Sequence, residues 1–132
     1  MALRPAKKMT MYQPNPFQTT MRQIEKSAML GLISHLTGGM PTMAFNDLVV
    51  NMGPLPRALH MELILDGDSL GTFLGDGLIV STPTGSTAYN LSAGGPICHS
   101  AVPCLLVAPI CPHSLGMRPL IISENTNIEL IL

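Results

Sequence analysis

The 132-residue chain has no tryptophan, and only 4% of its residues are aromatic. Charge is nearly as scarce, at 11% of residues and a formal net of −1. Nucleic-acid binding through phosphate contacts needs a basic excess, so no nucleic-acid partner is expected. The longest apolar runs fall well short of the ~18 residues of a membrane span, so no membrane partner is expected either. Cysteine is limited to three residues without a paired spacing, which fits reduced intracellular thiols better than a disulfide framework. No secretory apolar region stands at the N-terminus, and the expected location is the cytoplasm. What the chain does have is apolar content, at 46%. That is too much for a disordered chain and, at this length, points to one domain at most.

The few charges are unevenly placed. Arg4, Lys7, Lys8, Arg22 and Lys26 face one acid, Glu25, while the remainder sets Arg57 and Arg118 against seven acids. A basic N-terminus is one property of an organellar presequence, but Pro5, Pro14 and Pro16 fit an amphipathic targeting helix poorly. Residues 1–18 read as a loose, mobile arm with no apolar period. From about residue 20 to 37 the pattern predicts a helix. Met21, Ile24, Ala28, Leu32 and Leu36 recur at spacings of three and four, Thr19 or Thr20 can cap the start, and Gly38-Gly39 with Pro41 ends it.

Beyond Ala44 the period changes to that of strands. Phe45 to Asn51 is rich in β-branched residues and stops at Gly53-Pro54. Met61, Leu63 and Leu65 alternate with polar neighbours, and Asp66-Gly67 is a hairpin turn signal before a return strand over Leu70 to Leu74. Leu78 to Ser81, Leu105 to Val107, Leu120 to Ile122 and Ile128 to Leu132 read as further short strands, with one or two helical turns expected over Thr87 to Ser92. Short strands at this spacing predict a mainly β fold, a two-layer sandwich rather than βαβ units.

The chemistry concentrates between Gly75 and Gly95. Gly75-Asp76-Gly77 leads into the buried run Leu78-Ile79-Val80, followed by Ser81-Thr82-Pro83-Thr84-Gly85-Ser86-Thr87-Ala88-Tyr89-Asn90-Leu91-Ser92-Ala93-Gly94-Gly95. Such a loop offers many hydroxyl donors and acceptors and glycines that let a ligand approach the backbone. Tyr89 adds a flat face suited to stacking on a base. Read alone, the loop is a strand connection with ordinary turn residues. Asp76 between two glycines is a turn residue or an acceptor for paired sugar hydroxyls, and both readings are compatible.

This run resembles the signature loop of the NAD kinase family. Two further segments resemble that family in the same order: Ala44-Phe45-Asn46-Asp47-Leu48-Val49-Val50, like its Asn-Glu/Asp strand, and Pro109-Ile110-Cys111-Pro112-His113-Ser114-Leu115, like its Pro-Ile-Cys-Pro-His-Ser-Leu segment. The resemblance covers 44–132, the family's C-terminal β domain; nothing in 1–43 resembles it. It implies an NAD site in which Asn46 contacts the adenine, Asp47 helps hold a ribose, and Thr84, Ser86, Thr87, Ala88, Tyr89 and Ser92 line the loop, with Asp76 a further candidate. It implies phosphorylation of NAD by ATP to give NADP, with a divalent metal such as Mg accompanying ATP, and self-association through the β domain. The family's β domain continues past residue 132, so the resemblance also implies truncation at both ends.

The family's first lobe carries a Gly-Gly-Asp-Gly motif whose Asp acts on the ribose hydroxyl. Here Gly75-Asp76-Gly77 is preceded by Leu74 and belongs to the β domain, so no catalytic residue is assigned. No Walker-type loop replaces it. Cys98, His99, Cys104, Cys111 and His113 lack the Cys-x-x-Cys spacing of a structural zinc site, and no metal ligand is assigned. Ser86 is not in a Gly-x-Ser-x-Gly elbow. The expectation is the NAD-binding half of a kinase, inactive alone and completed by a longer chain or a partner lobe. The alternative is a catalytically dead dinucleotide-binding or subunit-interaction module.

Overall fold

The structure, a computed structural model, describes residues 8–11, 32–36, 42–51 and 58–132. In chain order the strands are β1 (Lys8–Met11), β2 (Leu32–Leu36), β3 (Thr42–Ala44), β4 (Asp47–Asn51), β5 (Leu59–Leu65), β6 (Asp68–Gly75), β7 (Gly77–Ser81), β8 (Cys104–Ile110), β9 (Leu120–Ser123) and β10 (Ile128–Ile131). A 3-10 turn, Thr84–Thr87, and one α-helical turn, α1 (Tyr89–Ser92), lie between β7 and β8. The strands form two antiparallel sheets, ordered β3-β2-β1-β10-β5-β6 and β4-β7-β8-β9.

Local chemistry explains much of this. Asp66 and Gly67 both have positive φ, 50° and 89°, the geometry of the two-residue turn that matches strand twist. The Asp66 carboxylate accepts the Asn127 N–H at 2.8 Å, and the Asp66 N–H donates to the Asn127 carbonyl at 2.9 Å. Those two bonds tie the β5–β6 hairpin to the start of β10. In β5, Leu59, Met61 and Leu63 are buried while His60 is exposed, the alternation of a half-covered sheet.

The main core lies between the sheets. Met61, Leu63, Phe73, Ile128 and Leu130 from one sheet meet Leu78, Val80, Leu105 and Val107 from the other. The expected sandwich is therefore present. The four-stranded sheet has a second buried face, however. Side chains alternate along a strand, so Ile79, Leu106 and Ala108 point away from the main core, yet each is fully buried. The 3-10 turn and α1 pack against β7, the strand that carries Ile79. The margins of that outer face stay open, with Val49 on β4 and Ile121 on β9 exposed.

The N-terminal third departs from expectation. Residues 32–36 form a strand where the helix over about 20–37 was predicted, and the rest of that helix lies outside the described residues. Within the predicted arm, Lys8–Met11 is a strand; the arm's other residues also lie outside the described residues. An apolar segment as short as Leu32-Ile33-Ser34-His35-Leu36 fits either period, and the partner decides. Here β1 pairs with β10, and β2 with β1. The apolar run Ile128 to Leu132 supplies β10, as expected a strand, and it runs between β1 and β5.

Leu130 and Ile121 test which face carries the stability. Leu130→Ala, in the centre of the core, is expected to cost about 2–5 kcal/mol in urea unfolding. Ile121→Ala, 59% exposed, is expected to change stability by no more than about 0.5 kcal/mol.

Candidate functional site

The end of β7 and the corner before β4 are joined through backbone groups. The Thr82 N–H donates to the Asn46 carbonyl at 2.9 Å. The Thr82 hydroxyl donates to the Phe45 carbonyl at 2.8 Å and accepts the Gly85 N–H at 3.0 Å. One threonine thus fixes the Phe45-Asn46 corner and the first turn of the loop to each other. Gly85 lies so close to Asn46 that a β-carbon on it would overlap the Asn46 carbonyl. Asp47 follows on β4, paired with Ser81, and shares the outer face of the sheet with it.

The loop is then held down from beneath. Ser86 is fully buried; its hydroxyl donates to the Cys98 carbonyl at 3.1 Å and accepts the Cys98 N–H at 3.0 Å. Asn90 is also fully buried, and its amide nitrogen donates to the Ser86 and Pro96 carbonyls, both at 3.0 Å. With both amide protons on carbonyls, the Asn90 side chain has one orientation. Its Oδ1 is buried and meets no hydrogen-bond donor among the described residues. A β-carbon on Gly95 would overlap that amide, so only glycine lets the chain close over Asn90.

The sequence-predicted residues divide accordingly. Asn46, Thr87, Tyr89 and Ser92 are exposed, while Asp47, Thr84 and Ala88 are half-buried. The Thr87, Tyr89 and Ser92 side chains make no hydrogen bond among the described residues, leaving two hydroxyls and a 43%-exposed aromatic ring available on the loop. Ser86 does not join them, because its hydroxyl is engaged with Cys98 and out of reach of solvent. Asp76 does not join them either. It precedes β7, whereas Asp47 pairs with the last residue of that strand, on the order of 15 Å away at strand rise. Its N–H donates to the Ile110 carbonyl at 2.9 Å, placing it at the Cys111-Pro112 end of the sheet.

Two residues that build the site went unnoticed in the sequence. Thr82 carries a readable signal, since a hydroxyl three residues before a turn glycine often accepts its N–H. Asn90 has none until the fold shows Gly95 packed on it. Together these elements put an amide and a carboxylate at one strand start, beside the Thr82–Gly85 turn that opens a hydroxyl-bearing loop with a partly exposed aromatic ring. Such an arrangement suits a ligand with sugar hydroxyls and a flat heterocycle. Among the described residues no three His, Cys, Asp or Glu side chains converge to hold a metal ion.

Comparison with known proteins gives the family. The family model for the ATP-NAD kinase C-terminal domain matches residues 45–132. The NAD kinase of Syntrophotalea carbinolica is 55% identical over 85 residues, which is 64% of this chain and 30% of that protein. The NAD kinase of Laribacter hongkongensis is 46% identical over 90 residues, 68% of this chain and 31% of that one. The chain therefore spans under a third of the length of these relatives. Among solved structures, yeast NADH kinase complexed with NADH superposes with a TM-score of 0.69 at 31% identity, covering 95% of this chain and 29% of that one. An NAD kinase from Archaeoglobus fulgidus in complex with ATP gives 0.67 at 26% identity, covering 89% and 50%.

The close approach at Gly85 is testable by contrast with Gly116, around which a β-carbon would meet nothing. In thermal or urea unfolding, Gly85→Ala is expected to lose at least about 2 kcal/mol, because backbone must move. Gly116→Ala is expected to stay within about 0.5 kcal/mol of the parent.

Proposed function

Because the chain belongs to the ATP-NAD kinase C-terminal domain family, we propose that it is the dinucleotide-binding part of a kinase that phosphorylates the adenosine ribose 2′-hydroxyl of NAD with ATP to give NADP. The observation that carries this reading is the Asn46-Asp47 corner, locked by Thr82 and Gly85 against the loop that presents Thr87, Tyr89 and Ser92. In this reading Asn46 supplies an amide with both donor and acceptor character for the adenine edge. Asp47 accepts from ribose hydroxyls as a charge-assisted partner. Tyr89 stacks on a base, and the Thr87 and Ser92 hydroxyls complete the contacts of the sugar and phosphate portion.

The roles proposed for Ser86 and Asp76 differ from those of the exposed residues. Ser86 shapes the loop from below rather than touching the dinucleotide with its side chain. Asp76, at the other end of β7, lies outside the surface that Asp47 and the loop share on this chain.

Phosphoryl transfer depends on positioning and on neutralising phosphate charge. This chain has no Gly-Gly-Asp-Gly segment, and among the described residues no three His, Cys, Asp or Glu side chains converge. No transfer step is assigned to its side chains. The chain is proposed to hold the acceptor while the remainder of the kinase, in the same polypeptide or on a partner lobe, supplies ATP, metal and the catalytic aspartate. Self-association through the β domain and a cytoplasmic location belong to the same proposal. A second reading is a dinucleotide-binding or subunit-interaction module without catalysis.

Calorimetric titration with NAD, repeated on variants, tests the binding surface. Asp47→Ala is expected to weaken binding at least tenfold, and Tyr89→Ala by roughly 5- to 100-fold, the range of lost base–aromatic stacking. Thr87→Ala is expected to weaken binding with unfolding midpoint unchanged. An Asp47→Ala variant that binds NAD like the parent would sink the assignment. NADP formation restored by adding a first lobe carrying Gly-Gly-Asp-Gly favours the kinase reading; binding without turnover favours the module.

A further inference from the structure

Two of the three cysteines, unremarkable in sequence, meet in the fold. The Cys98 and Cys104 sulfurs are 3.3 Å apart. Both backbones are anchored. Cys98 is gripped at its N–H and its carbonyl by the Ser86 hydroxyl, and Cys104 opens β8, paired with Ser123. The five residues between them fold back on themselves, with the Val102 N–H on the His99 carbonyl at 3.0 Å and the Ala101 N–H on His99 Nδ1 at 3.1 Å. Cys111 sits beyond the other end of β8, exposed, on the order of 20 Å along the strand.

We propose that Cys98 and Cys104 are a modification site, a thiol pair that a peroxide converts to an intramolecular disulfide, pinning the 94–103 segment to β8. The order of events follows from exposure and proton affinity. Cys98 is half-exposed, whereas Cys104 is 4% exposed. Burial first, then the hydrogen bond and charge of Cys98 and the charge of Glu124, push the Cys104 thiol up to about 12, so it stays protonated. Cys98 is therefore oxidised first. Its thiolate sulfur attacks one oxygen of hydrogen peroxide, the O–O bond breaks, and the released hydroxide takes a proton to leave as water. The Cys98 sulfenic acid is then attacked by the Cys104 sulfur. The S–S bond forms, the S–OH bond breaks, and the Cys104 proton leaves with that hydroxyl as a second water. Two thiols are oxidised by two electrons and one peroxide is reduced to two waters.

The sulfurs must approach by roughly 1 Å to reach a bond of about 2.05 Å. Cys104 is fixed in a buried strand, so Cys98 makes most of the movement. Its backbone pulls on the Ser86 hydroxyl, and through Ser86 the bond reaches the loop that carries Thr84 to Ser92.

The fully reduced chain is treated with equimolar hydrogen peroxide and alkylated with N-ethylmaleimide under denaturing conditions, and thiols are counted by mass. The parent is expected to fall from three alkylated cysteines to one, Cys111, with a loss of 2 Da before alkylation. Cys111→Ser is expected to fall from two to none and, once oxidised, to melt about 5 °C higher, reversed by dithiothreitol. Cys104→Ser is expected to yield a Cys98 sulfenic acid trapped by dimedone, and Cys98→Ser to leave Cys104 unmodified. Three thiols surviving in the parent, or loss of Cys111 with interchain dimers, overturns the pair. An oxidised Cys111→Ser chain that melts like its reduced form overturns the pinning.

Discussion

A strand buried on both faces constrains everything around it. β7 presents Leu78 and Val80 to the opposite sheet and Ile79 to the outer side, and all three are buried. Water is removed from both faces only if other parts of the chain pack over each. One cover is the six-stranded sheet. The other is the segment that leaves β7 and turns back over it, carrying the 3-10 turn and α1. At about 25 cal/mol per Å² of apolar surface, the outer cover is part of the hydrophobic stabilisation of the domain. The loop that presents the candidate binding residues is thus also a wall of a core. That explains how a loop of small residues holds one shape.

The polar residues of this loop separate into two populations by direction. Thr82, Ser86 and Asn90 are buried and bond to backbone groups of Phe45, Gly85, Cys98, Ser86 and Pro96. A hydrogen bond of this kind contributes about 0.5–1.5 kcal/mol, so these side chains add to the apolar contacts in fixing the loop. Thr87, Tyr89 and Ser92 point outward with nothing to satisfy among the described residues. In the proposed function, the inward half carries the shape and the outward half is the part offered to the ligand, so the surface is preorganised. Cys98 belongs to the inward half through Ser86, which is why sulfur chemistry at Cys104 reaches the outward half.

Where one residue type dominated a local decision, the sequence was enough to read the fold. Asp66-Gly67 could form the two-residue hairpin because each of its residues tolerates positive φ. Leu78 to Ser81 and Leu105 to Val107 were recognisable as buried strands from β-branched and leucine content over short runs between turn signals. Leu32 to Leu36 was not recognisable. Five apolar-rich residues carry no decisive period, and their state depends on β1 and, through it, on β10. Among the candidate site residues, motif order named Asn46, Asp47, Thr87, Tyr89 and Ser92, and the structure leaves Asn46, Thr87, Tyr89 and Ser92 exposed and Asp47 half-buried. Ser86 and Asp76 bear the same residue types in the same motif, yet burial turns one inward and strand length carries the other away.

The sequence by itself determined the mainly β class, the hairpin, the short strands and the family to which residues 45–132 belong. Each of these is written in local periodicity, turn chemistry or motif order. The tertiary structure alone decided which hydroxyls face solvent, which carboxylates share a surface, and that Cys98 and Cys104 touch. Those are relations between segments distant along the chain or turned by one residue. They are set by sheet register, by which face of a strand is covered, and by backbone approaches such as Gly85 on Asn46 that exist only once the layers have packed.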